Sequence, residues 1–413
     1  MVNLLAQGGF GCIYYPALSK KTGRWTQRDF VTKIQRNDES AENEVLIGEK
    51  IRNSPRYKLF FLPVLKSWPL SIKANKKKRF EGCDAITTKH TNYLAMNIAY
   101  LDGCDLIQSL KSVSNRRRVL LLMETFRYLL FGLEALARIN IVHLDLKFGN
   151  VLFASTSDEP RIADFGISIA SPESLLIRKG NQEDALRELR THFYVYTVEY
   201  PVWCLDIIVL ALIAEKQRWG PEIAGLLVSD IDASHKLTAA MPPKIAHEWR
   251  EQATSQLRKY SKMKTVDLVN YLLLQWRTWD TYSLAIMFFD TQSNIRNSDK
   301  SIFIEKWRVI LEKNVSPDPE KRLVPSDTRK QFDDMFLTWG SPQVYEEVVQ
   351  ELGGGPRFQV GQRVRISKPG GQLGNEAVVL DPDWSSGVKV MVSTGSDTGD
   401  RKTYIHSHLS SIE

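Results

Sequence analysis

Cysteine is scarce, with four residues in 413. Cys12, Cys83, Cys104 and Cys204 are scattered and form no Cys-x-x-Cys pair, so the sequence indicates neither a disulfide framework nor a thiolate zinc site. That usage fits a reducing, intracellular setting, cytoplasmic or nuclear. Long apolar runs are also missing. The longest, Ile207 to Ala214, is too short to span a bilayer and follows Asp206, and no signal peptide begins at Met1, so the chain reads as soluble. Charge of one sign is only mildly in excess: 55 Lys and Arg against 48 Asp and Glu give +7 and a pI near 9.0. Part of the excess sits in Lys76-Lys-Lys-Arg79 and Arg116-Arg-Arg118, runs that solvated loops or helix starts ordinarily carry. A nucleic-acid partner is possible on this balance but not favoured.

The remaining composition, 43% hydrophobic and 25% charged, is that of a globular protein with room for more than one domain. One stretch concentrates polar residues at spacings that invite chemistry: Ile141 to Gly166, IVHLDLKFGNVLFASTSDEPRIADFG. Two short apolar runs, Asn150 to Phe153 and Arg161 to Ala163, read as paired strands. Asp145, Lys147 and Asn150 precede the first run, and Asp164 follows the second. If the runs pair, the four side chains gather at one end of a small ribbon. Two carboxylates, an ammonium and an amide in one cleft suit a magnesium-nucleotide and a hydroxyl nucleophile.

His143-Leu-Asp145-Leu-Lys147-Phe-Gly-Asn150 resembles the catalytic loop of eukaryotic-type protein kinases, and Asp164-Phe-Gly166 resembles their magnesium-binding triplet. The resemblance implies that Asp145 accepts the substrate hydroxyl proton, that Lys147 steadies the γ-phosphate, and that Asn150 and Asp164 hold Mg2+. Upstream, Leu5 to Tyr15 resembles the family's glycine-rich loop over ATP, with Gly8, Gly9 and Gly11 present and Ala6 where the first glycine usually stands. Ile13 and Leu152 complete the expected nucleotide contacts. Lys33, in a strand-like run, matches the lysine that bonds the α- and β-phosphates, and Glu44, in a helical stretch from Ala41 to Ile51, matches the glutamate that holds it. Tyr93 to Leu101 resembles the strand and hinge between the two lobes. Ile98 would back the adenine pocket, Tyr100 and Leu101 would lie along the hinge, and Asp105 would approach the ribose. Apolar residues from Leu120 to Leu136 recur at three-to-four spacing within Arg117 to Ile139, as a core-facing helix requires.

Two departures from the family pattern matter. Val202-Trp-Cys204 stands in place of Ala-Pro-Glu, whose glutamate pairs with a buried arginine matched here by Arg322; Asp206 and Glu199 are the alternative substitutes. Leu144 replaces the arginine that precedes the catalytic aspartate in many kinases, which argues against control by a phosphate docked there. Thr197-Val-Glu-Tyr200 resembles the substrate-docking loop, and Thr197 together with Lys147 favours serine or threonine as the acceptor. For the aspartate that anchors the catalytic loop, Asp280 and Asp206 are rivals, the Asp-x-Tyr-Ser pattern favouring Asp280.

The resemblance therefore implies an α+β, two-lobed protein-kinase-like fold. Its β-rich lobe would cover 1–101 and its helical lobe 102–349, with an insertion at about 203–278. A glycine-rich linker at 350–357 leads to 358–413, where β-branched runs separated by turns resemble a small SH3-like barrel. Trp384 and Tyr404 could line a peptide groove on the barrel or form its core. The implied activity is that of a serine/threonine protein kinase acting on protein substrates; the alternative is a pseudokinase scaffold that binds partners through both parts. The divergent helical lobe is similar to those of kinases carried by large DNA viruses, which would imply association with virions.

Overall fold

Short runs of β-branched and aromatic residues recur through the first hundred positions, and a five-stranded antiparallel sheet forms there. The computed structural model describes residues 2–8, 11–72, 80, 82–87, 92–111, 115–155, 159–178, 180–292, 302–337, 358–366, 374–381, 388–395, 398–404 and 409–412. Strands β1 (Asn3–Gln7) and β2 (Gly11–Tyr15) form a hairpin, followed by the short pair β3 (Ala17–Leu18) and β4 (Trp25–Gln27) and by β5 (Phe30–Arg36). Helix α1 (Glu39–Arg52) follows, then β6 (Phe61–Leu62), β7 (Val64–Ser71) and β8 (Asn92–Ala99), and the sheet order is β1-β2-β5-β8-β7. β5 is central, and five consecutive residues from Val31 to Gln35 are buried. Asp38 caps α1 through a 3.1 Å bond from the Ala41 amide, with Glu39 and Glu42 in the first turn and Lys50 and Arg52 in the last. Gly48 lets this helix lie directly on β7, since a Cβ there would come within 2.9 Å of the Val64 carbonyl. The buried face of α1 carries Ala41, Ile47 and Ile51, and also Glu44, a charge that needs a partner.

Beyond β9 (Gly103–Asp105) and the short α2 (Leu106–Lys111), the chain becomes helical. The spacing that predicts a helix over Arg117 to Ile139 corresponds to α3 (Asn115–Arg138), which buries Leu122, Phe126, Leu130 and Leu133. β10 (Ile141–Val142), β11 (Val151–Ala154), β12 (Pro160–Ala163) and β13 (Ile169–Ala170) frame the stretch that concentrates the polar residues. β11 and β12 pair antiparallel, and β12 also pairs parallel with β6, tying this ribbon to the first part of the chain. The remaining helices are α4 (Gln182–His192), α5 (Leu205–Lys216), α6 (Pro221–Ala233), α7 (Pro243–Tyr260), α8 (Thr265–Leu273), α9 (Trp279–Gln292), α10 (Ile302–Asn314) and α11 (Pro325–Leu337). A β-rich first part and a helical second part are compatible with a kinase-like fold.

The stretch read as an insertion builds no core of its own. Every residue of α5 from Leu205 to Ala214 is buried, and Leu227, Trp249, Leu257 and Leu272 belong to the same apolar cluster as Leu130 and Val151. α5 also settles the choice of partner for Arg322. The Arg322 guanidinium bonds the Asp206 carboxylate, and neither side chain is exposed. Trp279 Nε1 donates to the same carboxylate at 3.0 Å, while Arg322 reaches Thr278 Oγ1 at 3.0 Å and the Ser316 carbonyl at 3.2 Å. Glu199, the rival, pairs instead with Lys236 at 2.8 Å.

At the carboxyl-terminal end, β14 (Arg363–Ile366), β15 (Glu376–Asp381), β16 (Val388–Val392), β17 (Arg401–Tyr404) and β18 (Leu409–Ser411) form an antiparallel sheet in the order β17-β16-β15-β14-β18. Alternate residues Val364, Ile366, Ala377, Val379, Val388, Val390 and Val392 are buried with Phe358 and Tyr404, the period of two that a one-sided sheet imposes. Tyr404 thus belongs to the core. Trp384, the run Lys76 to Arg79 and the linker at 350–357 lie outside the described residues. No helix among the described residues is long and apolar enough to cross a membrane.

Removing one member of a buried ion pair strands the other charge away from water. Arg322→Ala is therefore expected to cost about 3–5 kcal/mol of stability. Arg322→Met combined with Asp206→Leu should recover most of that loss, as measured by urea unfolding.

Candidate functional site

Lys33 sits in the middle of β5, and its ammonium binds two carboxylates from distant parts of the chain. Nζ is 2.8 Å from Glu44 Oε2 on α1 and 2.9 Å from Asp164 Oδ1 just after β12. Burial works against the charged lysine, but the two carboxylates outweigh it and the Lys33 pKa lies above its ordinary value. Burial would raise the Asp164 pKa, yet Lys33, helped by His143 and Lys147, draws it below the usual carboxylate value. Asp164 is thus ionised at neutral pH, and its side chain remains 43% exposed. Its backbone adopts a left-handed φ of 65°. Phe165 turns into the core against Phe61 and His143, with ring centroids 6.0 and 4.9 Å away. Helix α1 holds the following residues through Ser40 Oγ to the Gly166 carbonyl at 3.2 Å and Asn43 Nδ2 to the Ser168 carbonyl at 2.8 Å.

The loop from His143 to Asn150 is fixed from beneath. Asp280, in the first turn of α9, accepts the backbone amides of His143 at 2.8 Å and Leu144 at 3.0 Å, so it takes the anchoring place and Asp206 does not. His143 Nδ1 accepts the Asp145 amide at 3.2 Å, which leaves its Nε2 proton for the Ala163 carbonyl at 3.1 Å. Asp145 is then surrounded by donors. Lys147 Nζ lies 3.1 and 3.0 Å from its two carboxylate oxygens, and Asn150 Nδ2 donates to Oδ2 at 2.9 Å and to the Asp145 carbonyl at 2.8 Å. The Tyr200 hydroxyl donates to Oδ1.

Among the described residues no group of three or more His, Cys, Asp and Glu side chains stands ready for a metal ion. The donor set that is present, the Asp164 carboxylate and the Asn150 amide oxygen, still fits magnesium, which keeps several waters and takes few protein ligands.

The remaining residues of the candidate site are partly glycine and partly apolar. The Gly8 amide bonds the Gly11 carbonyl at 2.9 Å, closing the turn between β1 and β2. Gly11 is required by packing, because a Cβ there would stand 2.4 Å from the Ile34 carbonyl. Ala6 pairs with Ile13 across the hairpin, and Gly9 lies outside the described residues. Ile13, Ile98, Tyr100, Leu101 and Leu152 join one apolar cluster with Val31, Met96 and Ala163. Tyr15 stacks on Tyr100 at 4.0 Å. Asp105 accepts the Gln108 amide at 2.9 Å and so supports the start of α2, a job the sequence reading did not foresee.

One finding corrects the sequence reading and a second adds to it. Cys12 and Cys83 form a disulfide across 71 positions, so scarcity of cysteine no longer argues for a reducing setting. No local spacing signals the pair; only the fold brings the segment after β7 against β2. Cys104 and Cys204 are free thiols. The second concerns the loop before α5. Thr197 Oγ1 accepts the Glu199 amide at 3.0 Å, and the hydroxyl that reaches Asp145 belongs to Tyr200. Lys147 Nζ lies 3.2 Å from that oxygen and 5.7 Å from the ring centroid. Trp203 meets the Tyr200 ring edge-on at 5.2 Å and donates Nε1 to the Leu144 carbonyl at 2.9 Å. The aromatic pair Tyr200 and Trp203, three positions apart, was the available signal.

No protein-family model matches the chain. Over 197 residues it is 26% identical to a probable serine/threonine-protein kinase of Dictyostelium discoideum, a match that covers 47% of this chain and 22% of that protein. The chain therefore spans well under two thirds of that relative's length, and the similarity supports a kinase-like character.

The disulfide ties β2, which carries Gly11, to the segment after β7 and restrains the unfolded chain between them. Cys83→Ser is expected to lower stability by about 2–4 kcal/mol. Thermal unfolding under non-reducing conditions, with the wild-type protein in dithiothreitol as the matching control, would measure the loss.

Proposed function

We propose that the chain is a serine/threonine protein kinase that uses ATP and Mg2+. The observation that carries this reading is the pair of hydrogen-bonded groups just described: Lys33 between Glu44 and Asp164, and Asp145 among Lys147, Asn150 and Tyr200. A fold needs neither for its stability alone, since buried charges are costly and apolar residues pack as well. ATP supplies the transferable phosphoryl group, and magnesium neutralises charge on it. Lys33, kept cationic, suits the α- and β-phosphate oxygens, and the small residues Gly8 and Gly11 let the β1–β2 hairpin approach a phosphate closely. Asp164 and Asn150 hold the metal. Ile13, Ile98, Tyr100, Leu101 and Leu152 offer apolar surface to adenine.

Asp145 takes the proton of the acceptor hydroxyl, and Lys147 steadies the charge that develops beside it. The choice of serine and threonine rests on Lys147, on Thr197 in the loop before α5 and on the Dictyostelium relative. The carboxyl-terminal sheet is an SH3-like module for a protein or peptide partner on this reading. A pseudokinase scaffold is the second reading, and the donors filling Asp145 favour it. Loss of Ala-Pro-Glu does not, because Asp206 supplies the carboxylate that Arg322 requires.

Incubation of the purified chain with radiolabelled ATP, Mg2+ and a histone is expected to place label on serine and threonine. Asp164→Ala should abolish it, and Asp145→Asn should lower the rate by about a hundred- to ten-thousand-fold. Label transfer that survives both substitutions would exclude this site, and absence of transfer with the wild-type protein would leave the scaffold reading.

A further inference from the structure

The carboxylate of Asp145 has about four lone-pair positions on its two oxygens. Lys147 takes one on each oxygen, Asn150 takes one on Oδ2, and the Tyr200 hydroxyl takes one on Oδ1. None is left for an incoming hydroxyl. If Asp145 is the base, one donor must yield before a protein hydroxyl is engaged. Lys147 and Asn150 belong to the same loop as Asp145, and Asp280 pins that loop from beneath. Tyr200 comes from the separate segment ahead of α5, whose neighbouring residues Tyr194 and Val195 are 44% and 45% exposed. Its phenol is also the one donor with the chemistry of an acceptor: a neutral hydroxyl presenting its proton to the carboxylate.

We propose that Tyr200 occupies the acceptor-hydroxyl position on Asp145 and that it governs entry of protein substrates by competing for that position. The inference rests on the kinase reading above. Burial, and then the Asp145 carboxylate, hold the phenol pKa above its ordinary value, so Tyr200 stays a proton donor throughout the physiological range. An apolar cavity of about 300 Å³ lies next to the ring, walled by Leu144, Ile167, Phe193, Trp203 and Ile207, and it offers the ring a place when displaced. Tyr200 is on this account a positioning residue that sets acceptor access; it does not supply the base.

The decisive variant is Tyr200→Phe, which deletes the hydroxyl and keeps the ring against Trp203 and Lys147. With a histone as acceptor, the KM for histone is expected to fall about tenfold or more, the effect of removing one competing hydrogen bond to a charged group. The KM for ATP should stay as in the wild type. In the absence of ATP, the Kd for histone by fluorescence anisotropy should fall by a similar factor. A variant with unchanged KM and Kd for histone but a reduced kcat would overturn the proposal and make Tyr200 a support for the base. If Tyr200→Phe loses the cooperative melting transition, Tyr200→Leu, an apolar side chain that likewise carries no donor, undergoes the same two measurements, and the same criteria apply. Absence of transfer by wild type and variant alike would refute the kinase reading and this inference together, whereas transfer with unaltered histone KM and Kd would refute the inference alone.

Discussion

The ammonium of Lys33 is the interaction on which the site depends. It joins β5, α1 and the segment after β12 through contacts of 2.8 and 2.9 Å and so draws one carboxylate from each of the other two elements to a single point. Glu44 sits on the buried face of α1, where an isolated carboxylate would be expelled or neutralised. Asp164 takes a left-handed backbone that aspartate tolerates better than most residues, and its charge is stabilised by the same lysine. One cation therefore fixes the orientation of a helix and the direction of a turn at once.

Two buried acids in the helical part perform a comparable service. Asp280 receives consecutive amides from a loop that could not otherwise satisfy them, because Leu144 has a left-handed φ of 65° and lies buried. Asp206 neutralises Arg322 and receives Trp279 Nε1, which joins the start of α5 to the start of α9. Between them these acids position both walls of the space around Asp145: the loop that carries Asp145 itself and the segment that brings Tyr200 and Trp203 to it. The charges of the site are thus supported by further charges that are removed from solvent.

Much of the site was legible because its residues lie close together in the chain or fall in periodic patterns. Asp145, Lys147 and Asn150 occupy one short loop, and the hydrogen bonds among them are local. Lys33 and Glu44 were readable through the resemblance to protein kinases, since β5 buries five consecutive residues and its strand period does not single out Lys33. The apolar spacing of α3 and the alternation of the carboxyl-terminal strands appear in the fold as written in the sequence. Asp105, whose sequence position suggested a ligand contact, also accepts the Gln108 amide and supports the start of α2.

The sequence by itself determined the elements and the polar loop, because periodicity and short-range spacing constrain which side chains share a face, while the resemblance to protein kinases pointed to Lys33 and Glu44. Only the tertiary structure decided the pairings that join positions far apart. It bonded Cys12 to Cys83, chose Asp206 over Glu199 for Arg322 and Asp280 over Asp206 for the loop, and set Tyr200 on Asp145. In each case several residues of suitable chemistry competed for one partner. The outcome depended on which backbone approached within hydrogen-bond distance once the core had formed, and a chain read in one dimension does not contain that distance.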